Sequence, residues 1–579
     1  MWQRGGRTVG RILSLLLLSI CLPAQALELQ VEVEGVGGEL KQNVLAFLAI
    51  YRERDRDGLL PSRIRYLHRQ ATRQIGQALQ PFGYYRSRVQ ASLSEQDGRW
   101  LARYLIDPGP PLLIASVDYR VTGEGADEAA FSGPFPLQPG DVLDQRRYEK
   151  AKQRLLENAA ELGYLKARLE KAEIRIDLQA YRAGIRLHFD TGRRFLLGRV
   201  RFDQTLLDDD FLQRYVEFVP GDPYDLRRLL ELQGALLDSE YFRQVEVVPQ
   251  MDRVRDRRVP LRVVALPNPR NKYRFGLGYA TDYGLRFTLD WDRRYINRRG
   301  HRGNLALVLS QRLQQLRGEY RVPLADPRQD FLAVRPSLAN YDSDSRRGQT
   351  FGLKLLHSTD RGEWRRELGL DLNLEDYQVA EEDGSVQELV PFISWSRVIT
   401  DDPVYTSRGS RTKLSLLGAV DGLLSESTYL QGTASGKWVR SFAGQYRFLA
   451  RLDLGATLAA DVLDLGATRR FFAGGDTSIR GYDLDQLGPR NAAGEVVGGR
   501  YLAVGSLQLE RRIAGKWSLA LFLDGGNAYD PAYDNETAVG TGFGLHWRSP
   551  LGLIRADLGF GLTGEDTPVR LHLIIGPDL

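Results

Sequence analysis

The stretch that decides the fold is WSLALFLD, residues 517–524. Large apolar side chains occupy every second position from Trp517 to Leu523. The other set of alternating positions ends at the charged residue Asp524. The same period of two continues through residues 540–547, 554–562 and 569–576. This period is typical of strands whose two faces meet different surroundings. The four segments therefore predict consecutive strands near the end of the chain.

A soluble β-sandwich would alternate in the same way, so the surroundings of these strands need further evidence. The strands are long enough for the about 9–11 residues that a strand needs to cross a bilayer. Trp517, Tyr529 and Trp547 lie near the expected strand ends, where barrels place aromatic residues. Residues 268–579, at roughly 19 residues per strand and turn, would form about sixteen strands, an even number as in bacterial barrels. We therefore expect an antiparallel transmembrane β-barrel over this range.

The N-terminus has the features of an export signal. Basic residues precede an apolar run at residues 12–22, and Ala24-Gln25-Ala26 matches a signal-peptidase site. The run is shorter than the about 20 residues of a membrane helix, although a retained anchor is the alternative. We therefore predict a signal peptide over residues 1–26.

Composition excludes several classes of protein. Cys21 is the only cysteine and lies in the predicted leader, which excludes a disulfide scaffold. The net charge of +5 is small against 79 basic and 74 acidic residues, and no long block of like charge predicts nucleic-acid binding. The six histidines show no metal-ligand spacing, and the chain has no nucleophile-elbow or phosphate-loop motif. We therefore predict no catalytic residue, no metal and no cofactor.

The first half of the chain contains three similar units. Each begins with an alternating strand, continues through a helix pair and ends in two strands, which predicts an α+β sandwich. Ser62, Asp144 and Asp225 are placed to cap helices and recur about 80 residues apart. Each helix ends at an aromatic turn, such as Gly83-Tyr84-Tyr85. The three predicted domains cover residues 27–111, 112–193 and 194–267.

A long connection at residues 459–500 interrupts the pattern of strands. It contains RRFFAGGDTSIRGY, residues 469–482. A loop of this length is usually functional or disordered, and its glycines permit a defined conformation. The alternation places Asp524 on the inward face of the barrel, with glycines on the same face of the next strand. A glycine wall leaves room for a loop to pack against it.

These motifs resemble the outer-membrane protein assembly factor superfamily. In that family an Arg-Gly-Tyr or Arg-Gly-Phe loop tip folds into the barrel, and the three repeats resemble its periplasmic POTRA domains. A barrel with three such domains is similar to the barrel subunits of translocation and assembly modules. By this resemblance Arg480 would contact Asp524 of FLDGG, residues 522–526. The expected loop residues are Gly474, Gly475, Asp476, Ile479, Arg480, Gly481 and Tyr482; the expected wall residues are Phe522, Asp524, Gly526, Gly540, Gly542 and Gly544.

The resemblance also implies a weak lateral seam between the first and last barrel strands, here about residues 272–280 and 569–577. Gly576 and Pro577 would interrupt the last strand, because proline cannot donate to the ladder. An open seam would expose an edge on which a client strand could form without leaving its amides bare in lipid. The expected seam residues are Tyr273, Phe275, Gly276, Gly278, Leu573, Ile575, Gly576 and Pro577.

The function implied by the resemblance is insertion of β-barrel proteins, such as autotransporters, into the bacterial outer membrane. The implied partners are unfolded outer-membrane clients, the lipid bilayer and a TamB-like subunit anchored in the inner membrane. A secretion pore for one dedicated exoprotein is the alternative, although such pores usually carry two periplasmic domains and a plug helix. A passive porin or receptor would not need three repeated domains.

Overall fold

The computed structural model describes residues 28–56, 58–402, 405–549, 552–563 and 567–575. The predicted signal peptide lies outside these residues. The chain divides into two compact units, the first of which contains the residues up to Leu197 with two short later segments. In the described part of the chain, no α-helix combines the length and the hydropathy needed to cross a membrane.

The elements of the first unit are β1 (Glu28–Glu34), α1 (Gly38–Phe47), α2 (Ala49–Arg52), α3 (Pro61–Leu79), a 3-10 turn (Gln80–Phe82), β2 (Arg88–Gln96) and β3 (Arg99–Asp107). Its three-stranded sheet has the order β1-β3-β2, with β1 parallel and β2 antiparallel to β3. The α3 helix buries one face, including Ile64, Leu67 and Ile75, against a core that contains Trp100 and Tyr104 of β3.

The second group of elements is β4 (Leu113–Thr122), α4 (Gln145–Glu161), β5 (Arg168–Asp177) and β6 (Arg182–Asp190). The third is β7 (Leu196–Asp203), α5 (Asp209–Gln213), α6 (Leu226–Asp238), β8 (Phe242–Pro249), a 3-10 turn (Met251–Arg253) and β9 (Arg258–Pro267). Their sheets repeat the strand order of the first sheet, as β4-β6-β5 and β7-β9-β8.

Two details of the predicted repeat are wrong. The helix pair is absent from the second unit, where residues 123–139 form turns and α4 is the single α-helix. Ser62 does not cap α3, because the helix begins at Pro61 and Leu60 occupies the cap position without a side-chain bond. Proline at the first helical position already removes one amide that would need a partner.

The other two predicted helix caps are confirmed. The Asp144 carboxylate accepts the backbone N–H groups of Arg146 and Arg147 at the start of α4. Asp225 accepts the backbone N–H of Arg227 at 2.9 Å at the start of α6. Each carboxylate therefore satisfies amides that have no partner within their helix.

Sixteen strands close into an antiparallel barrel in sequence order, which confirms the predicted barrel and its strand number. They are β10 (Asn271–Ala280), β11 (Gly284–Arg293), β12 (Arg302–Leu309), β13 (Leu313–Pro323), β14 (Asp330–Asp342), β15 (Arg346–Arg361), β16 (Trp364–Val379), β17 (Glu382–Thr400), β18 (Arg408–Ala419), β19 (Tyr429–Phe442), β20 (Tyr446–Leu458), β21 (Tyr501–Ala514), β22 (Trp517–Tyr529), β23 (Ala538–Ser549), β24 (Gly552–Gly561) and β25 (Val569–Ile575).

The barrel is apolar outside and polar inside, as the exposures along β22 show. Leu521 and Leu523 are 63% and 52% exposed, whereas Phe522 and Asp524 between them are 4% and 0% exposed. A closed barrel is the strand arrangement that satisfies every backbone group in lipid. Its outer face meets the lipid tails, and the side chains on that face are therefore apolar.

Candidate functional site

The connection between β20 and β21 covers residues 459–500 and lies inside the barrel. Ala473, Ile479 and Tyr482 of this loop are buried together with Val504 of β21 and Ala538 of β23. We call residues 459–500 the inward loop. Its buried apolar side chains and its polar contacts with the inner wall give it a defined position.

Arg480 lies at the centre of the contact between the inward loop and the wall. Its Nε donates to Oδ2 of Asp524 at 2.8 Å, and its Nη2 donates to Oδ1 of the same carboxylate at 2.9 Å. The backbone N–H of Arg480 also donates to Oδ2 at 3.1 Å. Asp524 is fully buried. The alternation in β22 explains this position, because it turns Asp524 inward between outward-facing leucines.

Three further wall residues, which sequence reasoning missed, complete the surroundings of Arg480. Its Nη1 donates to Oδ2 of Asp557 at 3.0 Å and to Oε1 of Gln508 at 2.7 Å. Its Nη2 reaches Oγ of Ser506 at 3.4 Å. Asp557 lies on β24 and Gln508 on β21, so the guanidinium joins three strands. The inward position of Asp557 in the alternating β24 is the signal that could have identified it from the sequence.

The aromatic wall residue also contacts the loop. The Arg480 guanidinium carbon lies 3.5 Å from the centre of the Phe522 ring, a distance typical of cation–π attraction. We call Arg480, Phe522, Asp524 and Asp557 the loop clasp. Nearly all charged atoms of the loop clasp are excluded from water. Removal of one partner would therefore leave the others buried and unpaired.

The predicted glycine wall contacts the loop at one position. A methyl group at Gly540 would lie 2.0 Å from the carbonyl oxygen of Arg480. At Gly544 it would instead meet the Asp557 carboxylate, and at Gly542 it would meet Leu558 and the Phe522 ring. Gly526 faces the backbone of β21 rather than the loop. The wall therefore leaves space partly for the loop and partly for its own side chains.

The glycines of the loop tip adopt backbone conformations that other residues rarely take. Gly474, Gly475 and Gly481 have φ angles of +101°, +101° and +102°. At Gly481 a side chain would also lie 2.6 Å from the backbone nitrogen of Gly561 on β24. The backbone of the loop tip can therefore lie in direct contact with the wall. Beside it, the Tyr482 hydroxyl accepts the N–H of Thr563 at 3.1 Å.

A second group of ion pairs, also missed from sequence, anchors the start of the inward loop. Arg469 Nε donates to Oε1 of Glu388 at 2.7 Å. Arg470 forms two bonds of 2.8 Å with the Glu382 carboxylate. Glu382 and Glu388 belong to β17, far from the loop clasp in sequence. Their wall partners could not be chosen from the sequence, because β17 carries several acidic residues.

Asp476 connects the inward loop to both edges of the barrel sheet. Its Oδ2 accepts the backbone N–H of Asp282, in the turn after β10, at 3.0 Å. Its Oδ1 lies 2.5 Å from Nδ1 of His572 on β25. We call Asp282, Asp476 and His572 the seam cluster, and all three are buried. The inward position of His572 in an alternating strand was its only signal in the sequence.

The seam cluster is a hydrogen-bonded group rather than a set of ligands ready for a cation. Possible ligand atoms of its residues lie within 4.8 Å of one another. However, Nε2 of His572 accepts the backbone N–H of Gly481 at 2.9 Å. A neutral ring then carries its proton on Nδ1, the nitrogen that faces Asp476, and donates it there. A ligating histidine usually has the opposite arrangement, in which its second nitrogen donates.

Within the described residues, which end at Ile575, the first and last barrel strands pair over a short distance. Ala280 of β10 pairs with Ile574 of β25, whereas β10 pairs with β11 over ten residue pairs. Beyond β10, the N–H of Thr281 donates to the Leu573 carbonyl at 3.2 Å. Of the predicted seam residues, Leu573 and Ile575 are the neighbours of Ile574 in β25, whereas Tyr273 and Gly276 of β10 pair with β11. Phe275 is 71% exposed, and a side chain at Gly278 would approach Ile575. Gly576 and Pro577 lie outside the described residues.

Comparisons with known proteins agree with this architecture. The family model described as the Omp85 superfamily domain matches residues 271–577. The model described as POTRA domain TamA domain 1 matches residues 30–108. A further POTRA model, described as surface antigen variable number repeat, matches residues 117–192.

Individual relatives are distant in sequence. Outer membrane protein assembly factor BamA of Nitratidesulfovibrio vulgaris is 22% identical over 392 residues, 64% of this chain and 49% of the relative. The chain thus spans about half the length of that curated relative. The crystal structure of BamA from Haemophilus ducreyi lacking POTRA domains 1-3 has a TM-score of 0.70 at 14% identity, covering 80% of this chain and 99% of that chain. CdiB from Acinetobacter baumannii has a TM-score of 0.46 at 12% identity, covering 81% and 90%.

Proposed function

Because the chain belongs to the Omp85 superfamily, we propose that it is a non-enzymatic assembly factor that inserts β-barrel proteins at a lateral seam. The barrel lies in the bacterial outer membrane, and the N-terminal POTRA domains lie in the periplasm. The named BamA relative is itself an outer membrane protein assembly factor. The proposed seam lies between β10 and β25.

The limited pairing between β10 and β25 is the observation that carries this proposal. Among the residues that the structure describes, in which β25 ends at Ile575, one residue pair, Ala280 with Ile574, joins two strands that each pair extensively on their other side. Backbone groups without a partner are costly in lipid, and an unpaired strand edge is a template for another strand. A client strand that pairs with β10 would satisfy these groups and enter the membrane already hydrogen-bonded.

The clients and the partner are part of the same proposal. We propose autotransporters and other outer-membrane barrels as clients, and a TamB-like subunit anchored in the inner membrane as partner. The match of residues 30–108 to the first POTRA domain of TamA supports this choice. The edge strands of the first sheet, β1 and β2, offer unpaired backbone groups to an extended segment.

A disulfide across the seam tests the proposal. Ala280→Cys and Ile574→Cys place the two thiols on the residue pair that the structure describes between β10 and β25. The control is Ser415→Cys with Thr433→Cys, a directly paired position whose hydroxyl oxygens are 2.6 Å apart between β18 and β19. Assembly of autotransporters would be measured with each bond oxidised and then reduced.

We expect the oxidised seam bond to stop client assembly and its reduction to restore it, while the control bond has no effect. Normal assembly with a fully oxidised seam would overturn lateral insertion. If secretion of one exoprotein continued while the seam was locked, the secretion-pore alternative would be favoured instead.

A further inference from the structure

The outer face of the barrel carries a groove across strands β18 to β22. Its volume is about 750 Å³, within the range of about 300–1,000 Å³ that is usual for sites of small molecules. Its exposed lining is mostly carbon, and Trp438, Leu452 and Leu507 in this lining are each about half exposed. The outer face of a barrel meets lipid tails, so the groove opens toward the hydrocarbon of the bilayer.

Three glycines contribute to the floor of the groove. Gly436, Gly505 and Gly525 line it from β19, β21 and β22. A methyl group at Gly436 would meet nothing within 4 Å, and at Gly505 or Gly525 its nearest neighbour would lie at least 3.8 Å away. None of the three has a positive φ angle. Neither the backbone conformation nor the packing of the chain therefore requires glycine here, and the effect of the three glycines is an open groove.

Two arginines lie beside the groove on β18 and β19. Arg408 and Arg440 occupy directly opposed positions in the two strands, and both are exposed. They lie on the same face as Ser410 and Trp438 of the groove, because residues two apart in a strand share a face. Within the described part of the chain, neither guanidinium forms an ion pair, and the neighbouring Asp401 carboxylate accepts the backbone N–H of Arg408 instead. Like charges in opposed positions destabilise a sheet, so an anion between them would stabilise this pair.

The arginine pair lies at the level of the lipid headgroups on the periplasmic side. The strands alternate in direction from β10, which follows the periplasmic domains, so β18 begins and β19 ends on that side. Aromatic residues on the outer face mark the same level, as they do in membrane barrels. Phe442 stacks on Tyr446 at a centroid distance of 5.6 Å, and Trp517 stacks on Trp547 at 5.6 Å.

We propose that this surface binds one phospholipid of the periplasm-facing leaflet, with its phosphate on Arg408 and Arg440 and an acyl chain in the groove. Arginine suits this role, because its guanidinium donates two parallel hydrogen bonds to a phosphate. Opposed residues of antiparallel strands have Cα atoms about 4.5–5.5 Å apart, so one phosphate reaches both side chains. β18 is the ninth of the sixteen strands, so the lipid lies on the side of the barrel opposite the seam. The inference goes beyond the proposed function and does not rest on lateral opening.

Native mass spectrometry of the full chain tests the site. The purified protein would be titrated with phosphatidylglycerol in detergent, and we expect the wild type to retain one lipid. Arg408→Gln combined with Arg440→Gln should weaken this binding about thirtyfold, the effect of two cations at a membrane surface. Diacylglycerol, which has the chains but no phosphate, should not be retained. Inorganic phosphate should not displace the phospholipid, because it leaves the groove empty.

Variants that fill the groove test the position of the acyl chain. Gly436→Leu combined with Gly505→Leu would occupy the groove, and their Cβ atoms would not clash with the chain, so we expect a similar loss of lipid. Gly432→Leu is the matched control, since Gly432 lies on the same face of β19 outside the groove. Arg397→Gln controls for a general attraction of headgroups, because this guanidinium at the same end of β17 already pairs with Glu363.

An unchanged affinity in either the double-arginine or the groove-filled variant would overturn the site. An equal loss in the two control variants would also overturn it, because it would show a general attraction to the membrane surface. The shift of the folded barrel on an electrophoresis gel checks that each variant folds. If one test variant did not fold, the other would still decide, since they alter the phosphate contact and the groove separately.

Discussion

Arg480 and Asp524 meet through two side-chain bonds, of 2.8 Å to Oδ2 and 2.9 Å to Oδ1, although 44 residues separate them. The planar guanidinium fits the carboxylate edge to edge, which fixes both distance and orientation. The same guanidinium reaches Asp557 at 3.0 Å. Arg480 of the inward loop therefore links β22 and β24. These two strands take their places only when the whole C-terminal half of the chain has formed the barrel.

Arg480→Ala should destabilise the barrel by about 3–5 kcal/mol, because Asp524 and Asp557 would remain buried without their partner. The temperature at which the folded barrel unfolds in detergent, followed by its shift on an electrophoresis gel, measures this loss. Arg490→Ala is the matched control, since Arg490 belongs to the same loop and is exposed. Equal unfolding temperatures for the two variants would contradict the role of the loop clasp.

Gly540→Ala should displace the loop tip, because the added methyl group would lie 2.0 Å from the Arg480 carbonyl oxygen. The expected result is faster proteolysis within residues 459–500 in the folded protein. Gly436→Ala on β19 is the control, since its methyl group would meet nothing within 4 Å. If both variants were cleaved like wild type, the loop would not depend on the space at Gly540.

Asp144→Ala should destabilise α4 by about 1 kcal/mol, since the amides of Arg146 and Arg147 lose their cap. Hydrogen exchange of residues 145–161 in the full chain should accelerate by about fivefold. Ser62→Ala is the control in α3, where the side chain makes no cap bond, and exchange there should stay nearly unchanged. A similar change at both helices would contradict the assignment of the caps.

The Asp144 cap should also depend on pH. Burial raises the pKa of its carboxyl, but the bonds from Arg146 and Arg147 outweigh burial and hold the pKa below its usual value. A lowered pKa in the folded state means that the cap stabilises fully above the unfolded value of about 4. The stabilisation is lost as the pH falls through the lower folded value. The difference in exchange between wild type and Asp144→Ala should therefore shrink in acid, and a difference that grew in acid would contradict this sign.

Tyr482→Phe should cost about 1 kcal/mol, because the N–H of Thr563 would lose its acceptor beside the loop tip. The unfolding temperature of the barrel measures the change. Tyr446→Phe is the control, since that ring stacks on Phe442 at a centroid distance of 5.6 Å and keeps this contact without its hydroxyl. An equal change in both variants would show that the hydroxyl of Tyr482 has no special role.

The sequence by itself determined the strands of the C-terminal half and the two different faces of each strand. Periods of two in segments such as residues 517–524 specify an apolar face and a polar face, and this pattern needs no knowledge of which strands are neighbours. It also determined the break in the pattern between β20 and β21, because the glycines and charges there cannot continue an apolar face. The caps at Asp144 and Asp225 follow from local chemistry in the same way.

Only the tertiary structure decided which distant side chains share the lumen. Asp557, Glu388 and His572 are ordinary inward positions of their strands until barrel closure and strand register bring the inward loop against them. Ser62 shows the same limit locally, because the helix begins at Pro61, two residues before the start that a cap at Ser62 predicts. Side-chain alternation is a property of one strand, whereas contacts across a lumen depend on the position of every strand around it.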